Sequence, residues 1–212
     1  MRFPSIFLIA VVSMILITSQ SPVAFAGNGG WEDKDNDGFS TFQGDCDDND
    51  PEVYPGHGVC PTKIETDVSD NIVVGPDDVV VISNDATLTG NVEVNGGTLV
   101  VTDGSTIIGN IESIGGTIII EDGSSLDGNI QIQVSGAGGV LEINGATIDG
   151  NIESVGIDTL TIMNSYITGN ISSTDDISVT ITDNNVGKNI TITSPNICTE
   201  SGNTAKKNSG CP

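Results

Sequence analysis

The stretch that decides the fold runs from Asn110 to Gly128 and reads N-I-E-S-I-G-G-T-I-I-I-E-D-G-S-S-L-D-G. It holds three short runs of β-favouring residues, 111–114, 117–121 and 124–127, separated by glycine-rich corners. Isoleucine and threonine favour extended backbone, and Gly or Asp-Gly is typical of tight turns. No run has the length or period of an amphipathic helix. The stretch therefore predicts one coil made of three short strands.

Asparagines mark the same position in successive coils. They recur at intervals of 20, 19, 19, 22, 19 and 19 residues, and Ile or Val follows each: Asn71, Asn91, Asn110, Asn129, Asn151, Asn170 and Asn189. A fixed period of this length is typical of a solenoid, whose units are too small to bury their own cores. Coils stacked about 4.8 Å apart place neighbouring strands in parallel register. We therefore predict an all-β fold, a single-stranded parallel β-helix of right-handed sense, over residues 61–198.

The repeated asparagines are interpreted as structural. Five of them follow a glycine, and both residue types tolerate corners that require positive φ. Stacked carboxamides can hydrogen-bond to one another along the solenoid and satisfy polar groups that water does not reach. The alternative is a surface row of ligand-binding amides.

The N-terminus has the pattern of an export signal. Arg2 precedes an apolar run, 6–17, which is too short to span a bilayer comfortably, and Ala24-Phe25-Ala26 offers small residues for cleavage. We expect residues 1–26 to be a signal peptide, with a retained membrane anchor as the alternative. The mature chain is expected to be secreted, extracellular or at the cell surface, with the periplasm as an alternative, and to have no membrane span.

From residue 27 onward the chain has five lysines, no arginine and 29 acidic residues, a net charge of −24. This balance excludes nucleic acid as a partner, because phosphate contacts need a basic surface. The expected partners are calcium, a basic protein surface or a cell-surface polysaccharide. Four cysteines in an exported chain predict two disulfides in any of three pairings, and sequence order suggests Cys46–Cys60 and Cys198–Cys211.

A second informative stretch, from Glu32 to Glu52, has nine carboxylates in 21 residues. Like charges at this density repel, so the stretch is not expected to fold alone. Asp33, Asp35 and Asp37 alternate before a glycine, as do ligand positions 1, 3 and 5 of a calcium loop, whose next ligand would be the carbonyl of Phe39. The sequence therefore predicts a calcium-binding module over residues 27–60, with a disordered acidic linker as the alternative.

The closing ligand of this loop must come from elsewhere in the stretch. Position 12 of a helical calcium loop is a glutamate, but here it is Gly44. The candidates for the missing carboxylate are the acids that follow directly: Asp45, Asp47, Asp48 and Asp50.

The strings D-x-D-x-D-G-F, 33–39, and G-D-C-D-D-N-D-P-x-V-Y-P-G, 44–56, resemble the metal-binding motif of MopE-like surface proteins. They are more loosely similar to thrombospondin type 3 calcium repeats. The resemblance implies calcium as the cofactor, and it implies seven ligand positions: Asp33, Asp35, Asp37, Asp45, Asp47, Asp48 and Asp50. The motif usually continues from Pro-Gly to a glutamate, whereas this chain continues to His57. A contact made by that glutamate would be missing.

Five further acids flank the Gly-Asn corners and are predicted to share one edge of the solenoid: Glu93, Glu112, Asp127, Asp149 and Glu153. Three interpretations are open, a solvated edge, a second cation site or a catalytic pair of carboxylates. A polysaccharide lyase or glycosidase is therefore the alternative function. The lack of arginine after residue 2, the short corners and the scarcity of aromatic residues favour a protein that is not an enzyme.

The sequence thus predicts four segments. Residues 1–26 are the signal peptide, 27–60 the calcium-binding module, 61–198 the parallel β-helix, and 199–212 a disulfide-tied tail. The module and the tail are expected to cover the two ends of the solenoid, because open strand edges invite aggregation. The expected function is a secreted or cell-surface calcium-binding β-solenoid with a structural or adhesive role.

Overall fold

The structure is a computed structural model that describes residues 32–40, 43, 45–46, 48–53, 58–121, 123–135 and 138–211. The predicted signal peptide, 1–26, and the predicted ligand Asp47 lie outside these residues. No helix within them is long and apolar enough to cross a membrane. Their regular structure is almost entirely β, as the sequence predicts.

The described residues form short strands separated by turns. In chain order these are β1 (Thr62–Ile64), β2 (Ile72–Val74), β3 (Val79–Ile82), β4 (Thr87–Thr89), β5 (Val92–Val101), β6 (Thr106–Ile108), β7 (Ile111–Ile120), β8 (Ser125–Asp127), β9 (Ile130–Gln133), β10 (Val140–Asn144), β11 (Thr147–Asp149), β12 (Ile152–Val155), β13 (Thr159–Met163), β14 (Tyr166–Ile167), β15 (Ile171–Thr174), β16 (Ser178–Thr182), β17 (Asn185–Val186), β18 (Asn189–Thr193), β19 (Ile197–Ser201) and β20 (Lys207–Ser209).

Parallel pairing stacks these strands into about eight coils with three sides. The first side contains β1, β3, the second halves of β5 and β7, then β10, β13, β16 and β19. The second side contains β4, β6, β8, β11, β14 and β17. The third side contains β2, the first halves of β5 and β7, then β9, β12, β15, β18 and β20. The predicted parallel β-helix is confirmed.

Alternating burial along the strands builds the interior. In β9 and β12, for example, every second residue is buried and the residues between them are mostly exposed. Parallel register then stacks inward residues of successive coils into columns, such as Ile143, Ile162 and Ile181 on the first side. All three are fully buried. Burial of one such side chain contributes about 1.5–3 kcal/mol before entropy is counted.

The glycine that precedes five of the corner asparagines is required by the close approach of successive coils. A Cβ on Gly109 would lie 2.1 Å from the carbonyl oxygen of Gly90, and one on Gly128 would lie 2.0 Å from that of Gly109. Both distances are far below van der Waals contact, so no side chain fits there. The φ of Gly128 is also positive, at 159°, but the steric limit is the stronger reason for glycine.

The predicted asparagine ladder is present, but its geometry differs from the prediction. From Asn91 to Asn189, the backbone N–H of each ladder asparagine donates to Oδ1 of the asparagine one coil earlier, over 2.8–3.3 Å. In the later coils the Nδ2 amide donates to the same oxygen. The side chains are exposed or half-buried, because the Ile or Val that follows takes the inward position. The expectation that the ladder serves groups beyond the reach of water is therefore wrong.

A second ladder, which the sequence analysis missed, lies at the corner between the first and second sides. Here the N–H donates to a side chain of the following coil. Ala146 N–H donates to Ser165 Oγ (3.2 Å), Ser165 N–H to Asn184 Oδ1 (2.9 Å) and Asn184 N–H to Asn203 Oδ1 (2.9 Å). The two ladders therefore run in opposite directions along the solenoid axis.

The third corner, between the third and first sides, contains a buried carboxylate. Asp176 is 1% exposed and accepts hydrogen bonds from Ser154 Oγ (2.5 Å), Ser173 Oγ (2.7 Å) and the N–H of Ile157 (3.0 Å). Buried polar groups are tolerated when they are hydrogen-bonded in this way. Asp176 thus ties its own coil to the preceding coil from inside.

The C-terminal residues form a last coil. The sequence assigned 199–212 to a tail outside the repeat, but β19 pairs with β16 and β20 pairs with β18, both in parallel. The disulfide Cys198–Cys211 joins β19 to the residues that follow β20. Cys46–Cys60 is the other disulfide. Both pairings suggested by sequence order are confirmed.

A charged residue ends the interior of the solenoid. Glu200 continues the column of Ile162 and Ile181 and is only half-buried. Its Oε1 accepts hydrogen bonds from Nδ2 of Asn203 (2.7 Å) and Asn208 (2.6 Å). An inward-pointing charge on an edge strand opposes the addition of another strand. The last coil therefore protects its own open edge.

Replacement of Asn129 by Ala should destabilise the solenoid. It removes the acceptor for the N–H and Nδ2 of Asn151 and the donor to Asn110. Because each exposed hydrogen bond contributes about 0.5–1.5 kcal/mol, we expect a loss of about 1–2 kcal/mol, measured by thermal unfolding followed by circular dichroism. Asn196→Ala, at an exposed position, is the control. Equal melting temperatures for the two variants would contradict a stabilising ladder.

Replacement of Glu200 by Leu should cause self-association, because the apolar interior would then reach an open strand edge. The measurement is molar mass by light scattering over a range of protein concentrations. Glu142→Leu adds the same side chain at an exposed outward position of β10 and should keep the molar mass of the unmodified chain. If Glu200→Leu also keeps that molar mass, or if both variants associate alike, Glu200 does not protect this end.

Candidate functional site

The acidic loop around Asp33 is shaped by its own carboxylates. Asp33 accepts the N–H of Asn36 on Oδ1 (2.7 Å) and the N–H of Gly38 on Oδ2 (3.0 Å). Asp35 Oδ1 accepts the N–H of Asp37 over 3.2 Å. The backbone can close this tightly because Asn36 and Gly38 have φ of 66° and 101°, values that Gly and Asn tolerate best.

This turn brings three of the predicted ligands together. Asp33, Asp35 and Asp37 each offer one carboxylate oxygen, and these oxygens all lie within 4.8 Å of one another. Oδ2 of Asp35 and Oδ2 of Asp37 are buried and accept no hydrogen bond. Buried carboxylate oxygens without donors are costly, so the loop is suited to a positive charge at their centre.

The ionisation of Asp35 reflects this crowding. Partial removal from water raises the pKa of the Asp35 carboxyl above its usual value, against the effect of the hydrogen bond from Asp37 N–H. The nearby carboxylates of Asp37, Asp45 and Asp33 raise the pKa further. Because the folded pKa is raised, ionisation of Asp35 opposes folding of the loop as the pH rises through that pKa. A bound cation would offset this penalty.

The donor set fits a hard divalent cation. All three convergent groups are carboxylates, and oxygen ligands of this kind are those of calcium and magnesium. Zinc and copper sites in proteins usually include imidazole or thiolate ligands, and the convergent set contains neither. The chain itself would hold the ion with Asp33, Asp35 and Asp37.

The other predicted ligands are distributed around this cluster. Asp45 is 3% exposed and close enough to affect Asp35, and its N–H donates to the carbonyl of Ser40 over 3.2 Å. Asp48 is buried but is paired with Lys34, whose Nζ lies 3.7 Å from Asp48 Oδ2. Among the described residues, the convergent set contains neither of these two acids.

Two predicted ligands have local roles in the backbone. Asp50 is exposed and accepts the N–H of Glu52 over 3.1 Å. Phe39, expected to ligate through its carbonyl, donates its N–H to Asp37 Oδ1 over 2.8 Å. The structure therefore groups the first three predicted ligands and leaves the composition of the remaining coordination shell as a prediction.

The structure separates the five acids that the sequence placed on one edge. Glu93, Glu112 and Glu153 point outward from the third side, whereas Asp127 and Asp149 are paired on the second side. Asp149 Oδ1 also accepts a hydrogen bond from Thr168 Oγ1 over 2.7 Å. The separation arises because the Gly-Asn corner redirects the chain between the aspartate and the glutamate.

A shallow groove runs along the third side. Its central part has a volume of about 560 Å³ and is lined by ladder asparagines on one margin and by Glu112, Gln131, Glu153 and Ser172. Two adjoining hollows of about 200 and 240 Å³ extend it past Glu93. The sequence predicts separate roles for the asparagines and the glutamates. Their spacing of two residues was the available signal, because residues i and i+2 of a strand face the same way.

No protein-family model, curated protein or solved structure matches this chain.

Replacement of Asp35 by Asn should have opposite effects with and without calcium. Without the ion, loss of a crowded charge should make the loop more resistant to proteolysis. With the ion, loss of a charged ligand should weaken calcium binding about tenfold or more, because affinity follows the number of charged ligands. Isothermal titration calorimetry and limited proteolysis measure the two effects. Asp77→Asn, in an exposed turn of the solenoid, should change neither, and unaltered calcium affinity in Asp35→Asn would contradict the site.

Proposed function

We propose that this chain is a secreted or cell-surface calcium-binding β-solenoid with a structural or adhesive role. The observation that carries the proposal is the pair of buried oxygens on Asp35 and Asp37 that accept no hydrogen bond, within a loop of three convergent carboxylates. The two disulfides support an oxidising, extracytoplasmic compartment. The resemblance to the motif of MopE-like surface proteins supports calcium and a surface location.

Calcium would order the module rather than the solenoid. The solenoid has a continuous apolar interior from Val74 to Ile192, which stabilises it without an ion. Among the described residues between Glu32 and Val53, only Ser40, Asp45 and Asp48 are buried, and none of them is apolar. The order of this segment must therefore come from hydrogen bonds, the Cys46–Cys60 disulfide and a bound cation.

A non-catalytic role agrees with the chemistry of the groove. Its described lining contains no basic residue and no aromatic ring. In lyases of the parallel β-helix fold a basic residue abstracts the proton, and sugar-binding clefts commonly use aromatic rings for stacking. These features support a binding role for the third side, and the polysaccharide-active enzyme remains the alternative that an activity assay addresses.

The test is limited proteolysis with and without a calcium chelator. A protease that cleaves after acidic residues has Glu32 and Glu52 available in the module. Chelation should accelerate cleavage within residues 27–60, while the β signal in circular dichroism persists. Asp37→Ala should reproduce this result with calcium present, because it removes a central ligand, and Asp77→Ala should not.

The outcomes separate two parts of the proposal. If calcium leaves the cleavage rate of residues 27–60 unchanged, the calcium assignment fails. If chelation abolishes the β signal of the whole chain, the independence of the solenoid from the module fails instead.

A further inference from the structure

The groove on the third side extends over most of the solenoid. Its outward residues stack in register from Val73 through Glu93, Glu112 and Gln131 to Glu153 and Ser172. With coils about 4.8 Å apart, this row is about 24 Å long. An extended peptide of about seven residues has the same length.

The charges in the groove have no counterpart in the described part of the chain. Glu112 and Glu153 accept no hydrogen bond and form no ion pair there, and Glu93 accepts only from Asn95 Nδ2, over 2.9 Å. Glu93 and Glu112 lie directly opposite each other on adjacent strands, where like charges destabilise the sheet. A positively charged occupant would remove this repulsion.

The asparagine ladder adds a row of donors along the margin. Asn129 Oδ1 already accepts from the N–H and Nδ2 of Asn151, and Asn129 Nδ2 donates one of its two protons to Asn110. Asn151 and Asn170 donate one Nδ2 proton in the same way. Each of these three side chains therefore keeps one N–H that can donate to a ligand. The groove therefore combines N–H donors with carboxylate acceptors. A basic peptide matches both, because its backbone carbonyls accept from the N–H groups and its ammonium or guanidinium groups pair with the carboxylates.

Two aliphatic side chains distinguish a peptide from a sugar polymer. Ile114 and Val73, which border the N-terminal half of the groove, are 68% and 60% exposed. The described lining offers no aromatic ring for stacking on a sugar face. Aliphatic side chains of a bound peptide would instead cover Ile114 and Val73 and remove apolar surface from water.

We propose that this groove binds an extended, basic and partly aliphatic segment of another polypeptide along the solenoid axis. This would give the adhesive role proposed above its contact surface, so it rests on that role but not on the calcium module. Glu93, Glu112 and Glu153 pair with the basic side chains, and the ladder asparagines hydrogen-bond to the peptide backbone.

The test is fluorescence anisotropy with a labelled octapeptide of sequence (Lys-Lys-Val-Val)₂, in which each face of the extended chain carries both Lys and Val, using the full mature chain at constant calcium. The triple variant Glu93→Gln, Glu112→Gln, Glu153→Gln should raise the Kd about tenfold, since it removes three exposed ion pairs. Ile114→Ser should weaken binding further. Each variant is first checked for unchanged circular dichroism and melting temperature.

The matched control removes the same charge elsewhere. Glu65, Glu121 and Glu142 are exposed acids that do not line the groove, and their joint replacement by Gln should leave the Kd within about twofold. Equal weakening by both triple variants would mean that binding follows net charge alone and would overturn the proposal. Absence of binding to the unmodified chain would overturn it too.

Two further measurements identify the occupant and separate this proposal from the calcium site. A labelled glucosamine oligomer of equal charge should bind more weakly than the peptide. Tighter binding that depends on the three glutamates would assign the groove to an amine-bearing polysaccharide and overturn the peptide proposal. Asp37→Ala should lose calcium but keep the peptide affinity, so failure of the calcium assignment leaves the groove result unaffected.

Discussion

Parallel pairing between successive coils is the constraint on which the rest of this molecule depends. It places equivalent residues of neighbouring coils about 4.8 Å apart, and the Gly-Asn corner meets that distance in two ways. Glycine at Gly128 leaves room for the backbone of the coil below, and Asn129 joins the coils through its carboxamide. The same spacing aligns Glu93 with Glu112, so the scaffold's repeat also sets the spacing of surface charge.

Polar groups inside the solenoid show how the interior is bounded. Asp176 is fully enclosed and is held by two serine hydroxyls and a backbone N–H, which fixes one corner without breaking the apolar columns. Glu200 occupies a column position in the last coil and is held by two asparagine amides. The first polar group lies within the stack and the second ends it. The acidic loop differs from both, because Oδ2 of Asp35 and Oδ2 of Asp37 are buried and accept no hydrogen bond from the described residues.

The sequence predicts those features that recur with a fixed residue type. The asparagine period and the alternating isoleucines lead to the coil, the strands and the interior. The second ladder escaped notice because its positions are filled by Ala146, Ser165, Asn184 and Asn203 in turn. The last coil was missed because Cys198 and Glu200 take positions that are apolar in the preceding coil, where Val179 and Ile181 stand. A polar residue is tolerated there because the last coil packs against another coil on one face only.

The candidate site follows the same rule. Asp33, Asp35 and Asp37 converge because spacing along one tight turn sets their distances, and the sequence contains that spacing. The position of Asp48 depends on the hydrogen bond from the backbone N–H of Lys34 and on the ion pair with its side chain, which no local pattern encodes. The groove was missed for a related reason, since its two rows were assigned separate roles.

The opposite directions of the two ladders bear on the order in which coils can form. Chains are synthesised from the N-terminus. In the asparagine ladder the acceptor precedes its donor, so each new coil meets an oxygen already in place. At the other corner the N–H of Asn184 has no side-chain acceptor until Asn203 arrives. A growing solenoid can therefore add coils one at a time along one corner, while the opposite corner is complete only when the last coil is in position.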